Sequence, residues 1–411
     1  MRLLILALGF LSAFTVALAQ EPAKPNGRDI VVSPEAMAIH REALLIDGHN
    51  DLPWELRRKD GPAFRNIDLA RPQKSFHTDI ERLRRGNVGA QFWSAYVPAS
   101  TGKKGTAIKL TLEQIDVIHE LTRRYPDTFE MAYGTKDIER IRKSGKIASL
   151  IGIEGGHAID NSIPVLRDYY KLGVRYMTLT HSESLHWADS CSDAPRAHGL
   201  TRFGEDVVLE MNRLGMLVDL SHVSDETMKA ALKVTKAPVI FSHSSIRAVA
   251  NHPRNVPDDV LKLVKANRGV VMINFFSGFV VPEGARAMQK LFEVGRELQK
   301  KYPDDEAKFR EAMRAWMKDN DFPAGDVQTI VDHIQHAVKV MGVDHVGLGS
   351  DFDGVMKLPR QMSDVSCYPF ITQELLNRGY KKEDILKILG GNLMRVFAEA
   401  EEVSRKMREK P

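Results

Sequence analysis

The chain has 411 residues, of which 43% are hydrophobic and 27% charged, a balance that excludes a disordered protein and allows a large core. Its 58 basic and 54 acidic residues are interspersed and give a formal net charge of +4, too small to indicate a nucleic-acid-binding protein. The two cysteines, Cys191 and Cys367, exclude a disulfide framework, and one bridge or two free thiols remain equally open.

The N-terminus has the pattern of a secretory signal peptide at residues 1–19. Arg2 precedes an apolar run over 3–18, and Ala17 and Ala19 form an Ala-x-Ala processing site. The run is shorter than the ~20 residues that span a bilayer, which favours cleavage after Ala19 over a retained anchor. The C-terminal stretch Glu399–Pro411 is charged and offers no anchor signal. We therefore expect a protein exported to the periplasm or the medium, with no stable membrane anchor.

After a polar leader at 20–34, residues 35–411 alternate short apolar runs with amphipathic stretches, which is typical of a single β/α domain. The apolar runs, rich in Val, Ile and Leu, predict eight strands buried on both faces. The predicted strands are Leu44–Asp47, Val88–Tyr96, Ala148–Ile153, Val174–Thr180, Met216–Ser221, Val239–Ser242, Val270–Phe275 and His345–Ser350. The predicted helices include Glu113–Tyr125, Phe203–Leu214, Asp225–Leu232 and Asp258–Ala266.

Eight strand–helix units predict a (β/α)8 barrel of the TIM type. Thr111 and Ser224 are predicted to cap helices. The stretch Glu283–Gly342 is too long for a normal crossover and predicts a helical insertion before the last strand. His333 and His336 are three residues apart on a predicted helix of this stretch, and we expect them on its solvated face and not at a metal site.

Histidine and carboxylate side chains recur where the predicted strands end, at the face of a β/α barrel that carries active sites. These residues are His49, Asp51, Glu154, His157, His181, His222, His243, Asp351 and Asp353. Each histidine alone is more readily a hydrogen-bonded structural residue. Together, imidazoles and carboxylates are ligands that suit zinc, whereas structural zinc sites usually use cysteine. The joint pattern predicts a catalytic site in which a bridging carboxylate holds two metal ions.

The motifs closely resemble those of the membrane (renal) dipeptidase family of zinc peptidases, in the family's order and over nearly all of the mature chain. The matching stretches are Asp47-Gly48-His49-Asn50-Asp51-Leu52-Pro53, Glu154-Gly155-Gly156-His157, Leu179-Thr180-His181, Asp219-Leu220-Ser221-His222, Ser242-His243-Ser244, His252-Pro253-Arg254-Asn255 and Asp351-Phe352-Asp353-Gly354. The resemblance implies two Zn²⁺ ions bridged by Glu154. It assigns His49 and Asp51 to one ion, and His222 and His243 to the other.

The resemblance also implies roles for three residues that bind no metal. His181 is expected to contact the substrate oxygen and stabilise the oxyanion. Arg254 is expected to pair with the free carboxylate of a dipeptide, for which a planar guanidinium is well shaped. Asp351 is expected to move a proton from the attacking water to the leaving amine. A loop arginine is usually a solvated charge, so the role of Arg254 depends on the resemblance.

Other residues of these motifs are expected to support the site. His157, Asp353 and Asn255 are predicted to fix ligands and loops. Phe275 and Phe276 lie at a strand end where mammalian members of the family have a tyrosine in the second place, a departure that bears on substrate selectivity.

Three functions follow from these observations. The first is a metal-dependent dipeptidase, and the second is an amidohydrolase for a lactam or an acylated amino acid, since a fold does not fix a substrate. The third is an exported zinc-binding protein without catalysis. His181 and Asp351 argue against the third, because a carrier needs neither an oxyanion donor nor a proton shuttle. A non-covalent homodimer is typical of the family.

Overall fold

The short apolar runs form parallel strands buried on both faces. A computed structural model describes residues 29–302 and 306–409, and the predicted signal peptide lies outside them. The strands are β1 Leu45–Asn50, β2 Val88–Tyr96, β3 Phe129–Met131, β4 Ile147–Glu154, β5 Val174–Thr178, β6 Leu217–Asp219, β7 Ile240–Phe241, β8 Val270–Ile273 and β9 Val346–Leu348. All residues of β1, β4 and β5 are buried, as expected for parallel strands covered by helices.

Eight of these strands close into a barrel. Their order is β2-β1-β9-β8-β7-β6-β5-β4, and β2 pairs with β4 to complete the ring. The predicted (β/α)8 barrel is therefore confirmed. The strand that was not predicted, β3, pairs with residues 147–149 at the start of β4, while β5 pairs with residues 151–154 further along. The additional strand thus extends one edge of β4 without entering the ring.

Helices follow most strands and cover the barrel. The α-helices are α1 Pro34–Glu42, α2 Leu52–Asp60, α3 Ile80–Arg85, α4 Ser100–Lys103, α5 Ala107–Arg124, α6 Thr135–Lys143, α7 Ile163–Lys171, α8 Arg202–Leu214, α9 Asp225–Val234, α10 Asp258–Asn267, α11 Ser277–Val280, α12 Pro282–Lys301, α13 Glu306–Asp319, α14 Val327–Met341, α15 Tyr368–Asn377, α16 Lys382–Leu386 and α17 Asn392–Glu409. Ser224 caps α9 as predicted, because its side chain accepts a hydrogen bond from the backbone N–H of Thr227. The predicted cap at Thr111 is wrong, since α5 begins four residues earlier and Thr111 is buried within it.

The predicted insertion lies between β8 and β9 and contains α12, α13 and α14. The helix α12 packs against residues in and just before α11 to form a small apolar cluster that is separate from the main core. The buried members of this cluster are Phe276, Phe279, Met288 and Leu291. One correction concerns His333 on α14, which is fully buried and not on a solvated face. Its Nδ1 accepts from the backbone N–H of Ile246 at 3.0 Å, and its Nε2 lies 2.9 Å from the carbonyl oxygen of Val280, so it joins three segments.

The structure also bears on membrane-spanning helices and on the state of the two cysteines. Across the described residues, every helix is too short or too polar to cross a bilayer. Both Cys191 and Cys367 are free thiols, which decides between the two possibilities that the sequence left open.

The barrel interior is filled by apolar side chains from successive strands, including Ile46, Phe92, Leu150, Tyr176 and Met272. Tyr176 occupies the space that a side chain at Gly152 would take. A Cβ atom at Gly152 would lie 2.0 Å from the Tyr176 ring, so only glycine fits there. The hydroxyl of Tyr176 lies 2.8 Å from Nδ1 of His49. Tyr176 therefore both packs in the barrel interior and contacts a predicted metal ligand.

We expect Gly152→Ala to destabilise the protein by about 1–3 kcal/mol, because overpacking forces Tyr176 off its position. Chemical denaturation measures the effect, and zinc content measures whether His49 has moved. Gly102→Ala is a suitable control, because the added Cβ would meet only Cβ of His157, at 3.4 Å. Equal stability of the two variants would contradict the packing argument.

Candidate metal centre

The five predicted metal ligands converge at the carboxyl ends of the barrel strands. Glu154 is the last residue of β4, and His49 and Asp51 lie at the end of β1. His222 and His243 follow β6 and β7. All five side chains are buried or nearly so, with exposed side-chain fractions between 0% and 11%. Residues from four strands therefore meet in one enclosed space.

Glu154 lies at the centre of this group, and its two oxygens face different histidines. Oε1 lies 2.9 Å from Nε2 of His222 and 3.3 Å from Nε2 of His243. Oε2 lies 3.7 Å from Nε2 of His49, which is itself 3.2 Å from Oδ2 of Asp51. The carboxylate is thus placed to bridge two neighbouring groups of ligands.

Within the part of the chain that the structure describes, three overlapping groups of donor atoms could each hold a cation. They are Glu154 with His222 and His243, His49 with Asp51 and Glu154, and His49 with His243 and Asp351, with donor atoms within 4.8 Å of one another. Imidazole nitrogen and carboxylate oxygen are donors that zinc accepts readily. The buried Oδ1 of Asp51 also has no hydrogen-bond partner among the described residues, so it is free to bind an ion. The residues present therefore fit a metal centre.

The negative charges of Asp51 and Glu154 also favour a bound cation. Burial lowers the pKa of His49, but Asp51 and Glu154 outweigh burial and raise that pKa to about 10. Burial lowers the pKa of His222 and His243 well below the ordinary value for histidine, which keeps these imidazoles neutral. A metal ion bound beside Asp51 and Glu154 would replace the proton of His49, as ligand deprotonation requires.

Hydrogen bonds fix the orientation of His243 through the buried carboxylate of Asp219, to which the sequence analysis assigned no role. The Ser242 hydroxyl donates to Oδ2 of Asp219 at 2.6 Å and lies 2.8 Å from Nδ1 of His243. Because the single hydroxyl proton is used on Asp219, the Ser242 oxygen accepts from Nδ1–H of His243. Nε2 of His243 then carries a lone pair toward Glu154. Such supporting contacts orient metal-binding histidines.

On the opposite side of the barrel, Asp47 is a second buried carboxylate that accepts several hydrogen bonds. Its Oδ1 accepts from the backbone N–H of Ser350 at 2.7 Å, and its Oδ2 accepts from the hydroxyls of Ser350 and Tyr368. Asp219 likewise accepts from the backbone N–H groups of Ser221 and Ser242. Asp47 lies two residues before His49, and Asp219 lies three residues before His222. This spacing is the pattern by which both supporting aspartates could have been found in the sequence.

Arg254 and His181 border the same space. The guanidinium of Arg254 is buried, with 2% of the residue exposed, which sets it apart from an ordinary loop arginine. Its Nη2 lies 3.1 Å from Nε2 of His222 and donates to the carbonyl oxygen of His243 at 3.2 Å. Nε2 of His181 lies 3.8 Å from Oε1 of Glu154. Both side chains therefore reach the metal ligands without belonging to the donor groups.

Asp351 lies close to His49 and His243, with which it forms one of the three donor groups. Its Oδ2 accepts from Nδ2 of Asn274 at 2.7 Å. Burial raises the pKa of Asp351 to about 7, with Asp51 and Glu154 adding to the rise. His222 and Asp351 have φ angles of 67° and 66°, in the left-handed region that side chains other than glycine rarely adopt. Such backbone strain is typical of functional sites and persists because the surrounding contacts enforce it.

The remaining motif residues contact backbone groups and hold loops. Nε2 of His157 lies 3.1 Å from the carbonyl oxygen of Val97. Asn255 donates to the carbonyl oxygens of Ala250 and Phe279, at 2.7 Å in each case. Asp353 accepts from the backbone N–H of His77 at 2.7 Å. These contacts agree with the supporting roles expected from the sequence.

A cleft of about 410 Å³ opens onto the metal ligands. Its wall carries the carboxyl groups of Asp51, Glu55, Glu154, Asp351 and Asp353 and also the guanidinium of Arg254. The volume is in the range of small-molecule sites. Such a cleft suits a small molecule that carries both a positive and a negative charge.

The sequence matches the model of one protein family, described as membrane dipeptidase (peptidase family M19), over residues 34–411. Dipeptidase verJ from Clonostachys rogersoniana is 40% identical over 390 residues, which cover 91% of this chain and 89% of that protein. Dipeptidase 3 from Mus musculus is also 40% identical, over 378 residues that cover 90% of this chain and 67% of the mouse protein.

Solved structures show the same fold. The probable dipeptidase PvdM from Pseudomonas aeruginosa has a TM-score of 0.76 at 22% identity, covering 90% of this chain and 98% of that one. A metallo peptidase from Rhodobacter sphaeroides, liganded with a phosphinate mimic of the dipeptide L-Ala-D-Ala, has a TM-score of 0.70 at 22% identity, covering 87% and 99%.

We expect Ser242→Ala to weaken zinc binding by about 10- to 100-fold, because His243 loses the contact that fixes its ring and its tautomer. Competition with a chelator of known zinc affinity measures the change. Ser404→Ala provides a matched control, since this buried hydroxyl on α17 donates to the carbonyl oxygen of Arg213 and touches no metal ligand. Unchanged zinc affinity in Ser242→Ala would show that the Asp219–Ser242–His243 chain does not support the site.

Proposed function

The chain belongs to the membrane dipeptidase family, peptidase family M19, and is a metallopeptidase of the dipeptidase type; we propose that it uses two zinc ions to hydrolyse dipeptides that have a free C-terminal carboxylate. His49, Asp51 and Glu154 would hold one ion, and Glu154, His222 and His243 the other. The two-sided contacts of the Glu154 carboxylate support this pairing. Zinc held by these residues would lower the pKa of a bound water and so supply a nucleophile at neutral pH.

The burial of the Arg254 guanidinium is the main support for a substrate with a free carboxylate. A buried guanidinium needs a charged or polar partner. That of Arg254 contacts Ser244 and the carbonyl oxygen of His243, and it forms no ion pair with a carboxylate of the described residues. Its Nε is buried without a hydrogen-bond partner among the described residues. A substrate carboxylate at this position would satisfy the charge. A longer peptide has no carboxylate at that distance from the cleaved bond, so the preference is for dipeptides.

The acidic residues of the cleft complete the match to a dipeptide. A dipeptide carries an α-ammonium group at its other end, and the carboxyl groups of Glu55, Asp351 and Asp353, which bind no metal in this proposal, line the cleft. Opposite charges on the substrate and the wall fix one orientation of the peptide and raise the encounter rate. The dipeptide mimic bound by the Rhodobacter sphaeroides relative supports the same substrate class.

His181 and Asp351 provide the acid–base and electrostatic groups of the proposed reaction. Nε2 of His181 faces Glu154 from the side where Arg254 lies, and it donates a hydrogen bond to the peptide carbonyl oxygen as negative charge develops there. Asp351 accepts a proton from the attacking water and passes it to the departing amine. Asn274 holds the Asp351 carboxyl group in place for this transfer.

We also propose that the protein acts outside the cytoplasm. The apolar run at 3–18 and the Ala-x-Ala pattern that ends at Ala19 support export, followed by removal of residues 1–19.

The purified protein is expected to cleave unmodified dipeptides and to leave their C-terminally amidated forms intact, because an amide cannot pair with Arg254. Chelation should abolish turnover, and about two equivalents of zinc per chain should restore it. Liquid chromatography of the products and metal analysis measure both effects. Cleavage of free and amidated forms at similar rates would contradict the role of Arg254, and cleavage of lactams or acylated amino acids alone would favour an amidohydrolase.

A His181→Ala variant is expected to keep its zinc and lose turnover by about 10²–10³-fold, as removal of an oxyanion donor does in other hydrolases. Activity assays and metal analysis on the same sample separate the two readouts. His186→Ala, in the same loop and outside the cleft, is the control. An activity in His181→Ala equal to that of the control would remove His181 from the mechanism.

A further inference from the structure

Residues of the helical insertion line an open, largely apolar compartment beside the metal-site cleft. The compartment has a volume of about 390 Å³. Its apolar wall consists of Phe279, Leu291, Phe292, Phe309 and Met313. His181, His222 and Arg254 line both this compartment and the cleft, so the two spaces meet at these three residues. The acidic residues of the cleft do not line the compartment.

We propose that this compartment receives the side chain of the C-terminal residue of the dipeptide and selects large apolar side chains at that position. The inference rests on the proposed function, in which Arg254 binds the substrate carboxylate. The carboxylate and the side chain of the C-terminal residue are attached to the same carbon atom, so a carboxylate at Arg254 brings that side chain to the entrance. Phe279 marks this entrance, because its ring centre lies 5.3 Å from the Arg254 guanidinium carbon.

The chemistry of the wall indicates which side chains are accepted. Its polar members include Ser182, Ser192 and Arg296, and Arg296 is an exposed residue that donates to the carbonyl oxygen of Ser192 at 3.2 Å. The apolar part is supplied by α12 and α13 together with Phe279. Burial of an apolar side chain against such a wall is favourable, whereas a positively charged side chain would lose its hydration beside Arg254 and Arg296 without gaining a carboxylate partner from the lining.

Gly295 offers a way to fill the compartment without disturbing the catalytic groups. It lies in α12 and lines the compartment, and a Cβ atom there would meet Met313 at 3.6 Å, an ordinary contact distance. Leucine is a better helix former than glycine, so Gly295→Leu should not weaken α12. Its side chain would occupy the space that the proposal assigns to the substrate.

The experiment measures kcat/KM for Gly-Gly, Gly-Leu, Gly-Phe and the reversed dipeptide Leu-Gly. The protein with its zinc is expected to prefer Gly-Leu and Gly-Phe to Gly-Gly. In Gly295→Leu, kcat/KM for Gly-Leu and Gly-Phe should fall by about tenfold or more, the effect of losing a hydrophobic pocket contact. Gly-Gly and Leu-Gly should change by less than about twofold. Zinc content should stay the same.

Lys290→Leu is the matched control, because it adds the same side chain to an exposed position of the same helix. A second variant, Phe292→Ala, removes part of the wall and should lower kcat/KM for Gly-Phe more than for Gly-Gly. Equal losses for all four dipeptides in Gly295→Leu, or a wild-type protein that does not distinguish Gly-Leu from Gly-Gly, would overturn the compartment's role while leaving the dipeptidase function intact. Failure of the zinc-loaded wild-type protein to cleave any of the four would overturn the proposed function and this inference together.

Discussion

The structure depends on one buried carboxylate, that of Glu154, surrounded by imidazoles from the ends of other strands. A buried charge must be paired, and here the partners come from β1 and from the segments after β6 and β7. Burial raises the pKa of Glu154, but the charges and hydrogen bonds of the histidines outweigh burial and hold it well below its ordinary value. The barrel must therefore close in one register, because a shift of any of these strands would leave the carboxylate without partners. The same demand for positive charge makes the site receptive to metal ions.

The histidines can meet Glu154 only if their own strand ends are held still, and two further buried aspartates provide this support. Asp219 collects hydrogen bonds from Thr178, Ser221 and Ser242, and so joins the ends of β5, β6 and β7. Asp47 joins the end of β1 to Ser350, just beyond β9, and to Tyr368 on α15. Because these carboxylates accept mostly from backbone and hydroxyl groups, they fix geometry and leave the imidazole lone pairs for a metal.

The sequence predicted the barrel and the approach of the candidate site residues because both follow from local patterns. Apolar runs mark strands buried on both faces, and polar residues at their carboxyl ends must meet at one face of a barrel. The short strand β3 was missed because its residues, Phe-Glu-Met, show no clear pattern. Thr111 resembled a cap because capping residues also occur inside helices, where tertiary contacts decide the helix start. His333 was misplaced because its burial depends on packing against Val280 and Ile246, far away in sequence. The compartment formed by α12 and α13 depends likewise on packing between the insertion and the barrel.

The small apolar cluster of the insertion has a consequence for how this protein can change over evolutionary time. Phe276, Met288 and Leu291 belong to a cluster that is separate from the main core. The buried apolar side chains of α14 belong to the main core, whereas Met288 and Leu291 of α12 belong to this cluster. Changes at independent sites have nearly additive effects on stability, so mutations in α12 and α13 can accumulate with less effect on the barrel than mutations in α14. The helices α12 and α13 thus form a part of the fold that packs separately from the strands that carry the candidate metal ligands. Duplicated copies of such a protein could diverge in these two helices while each kept its metal ligands unchanged.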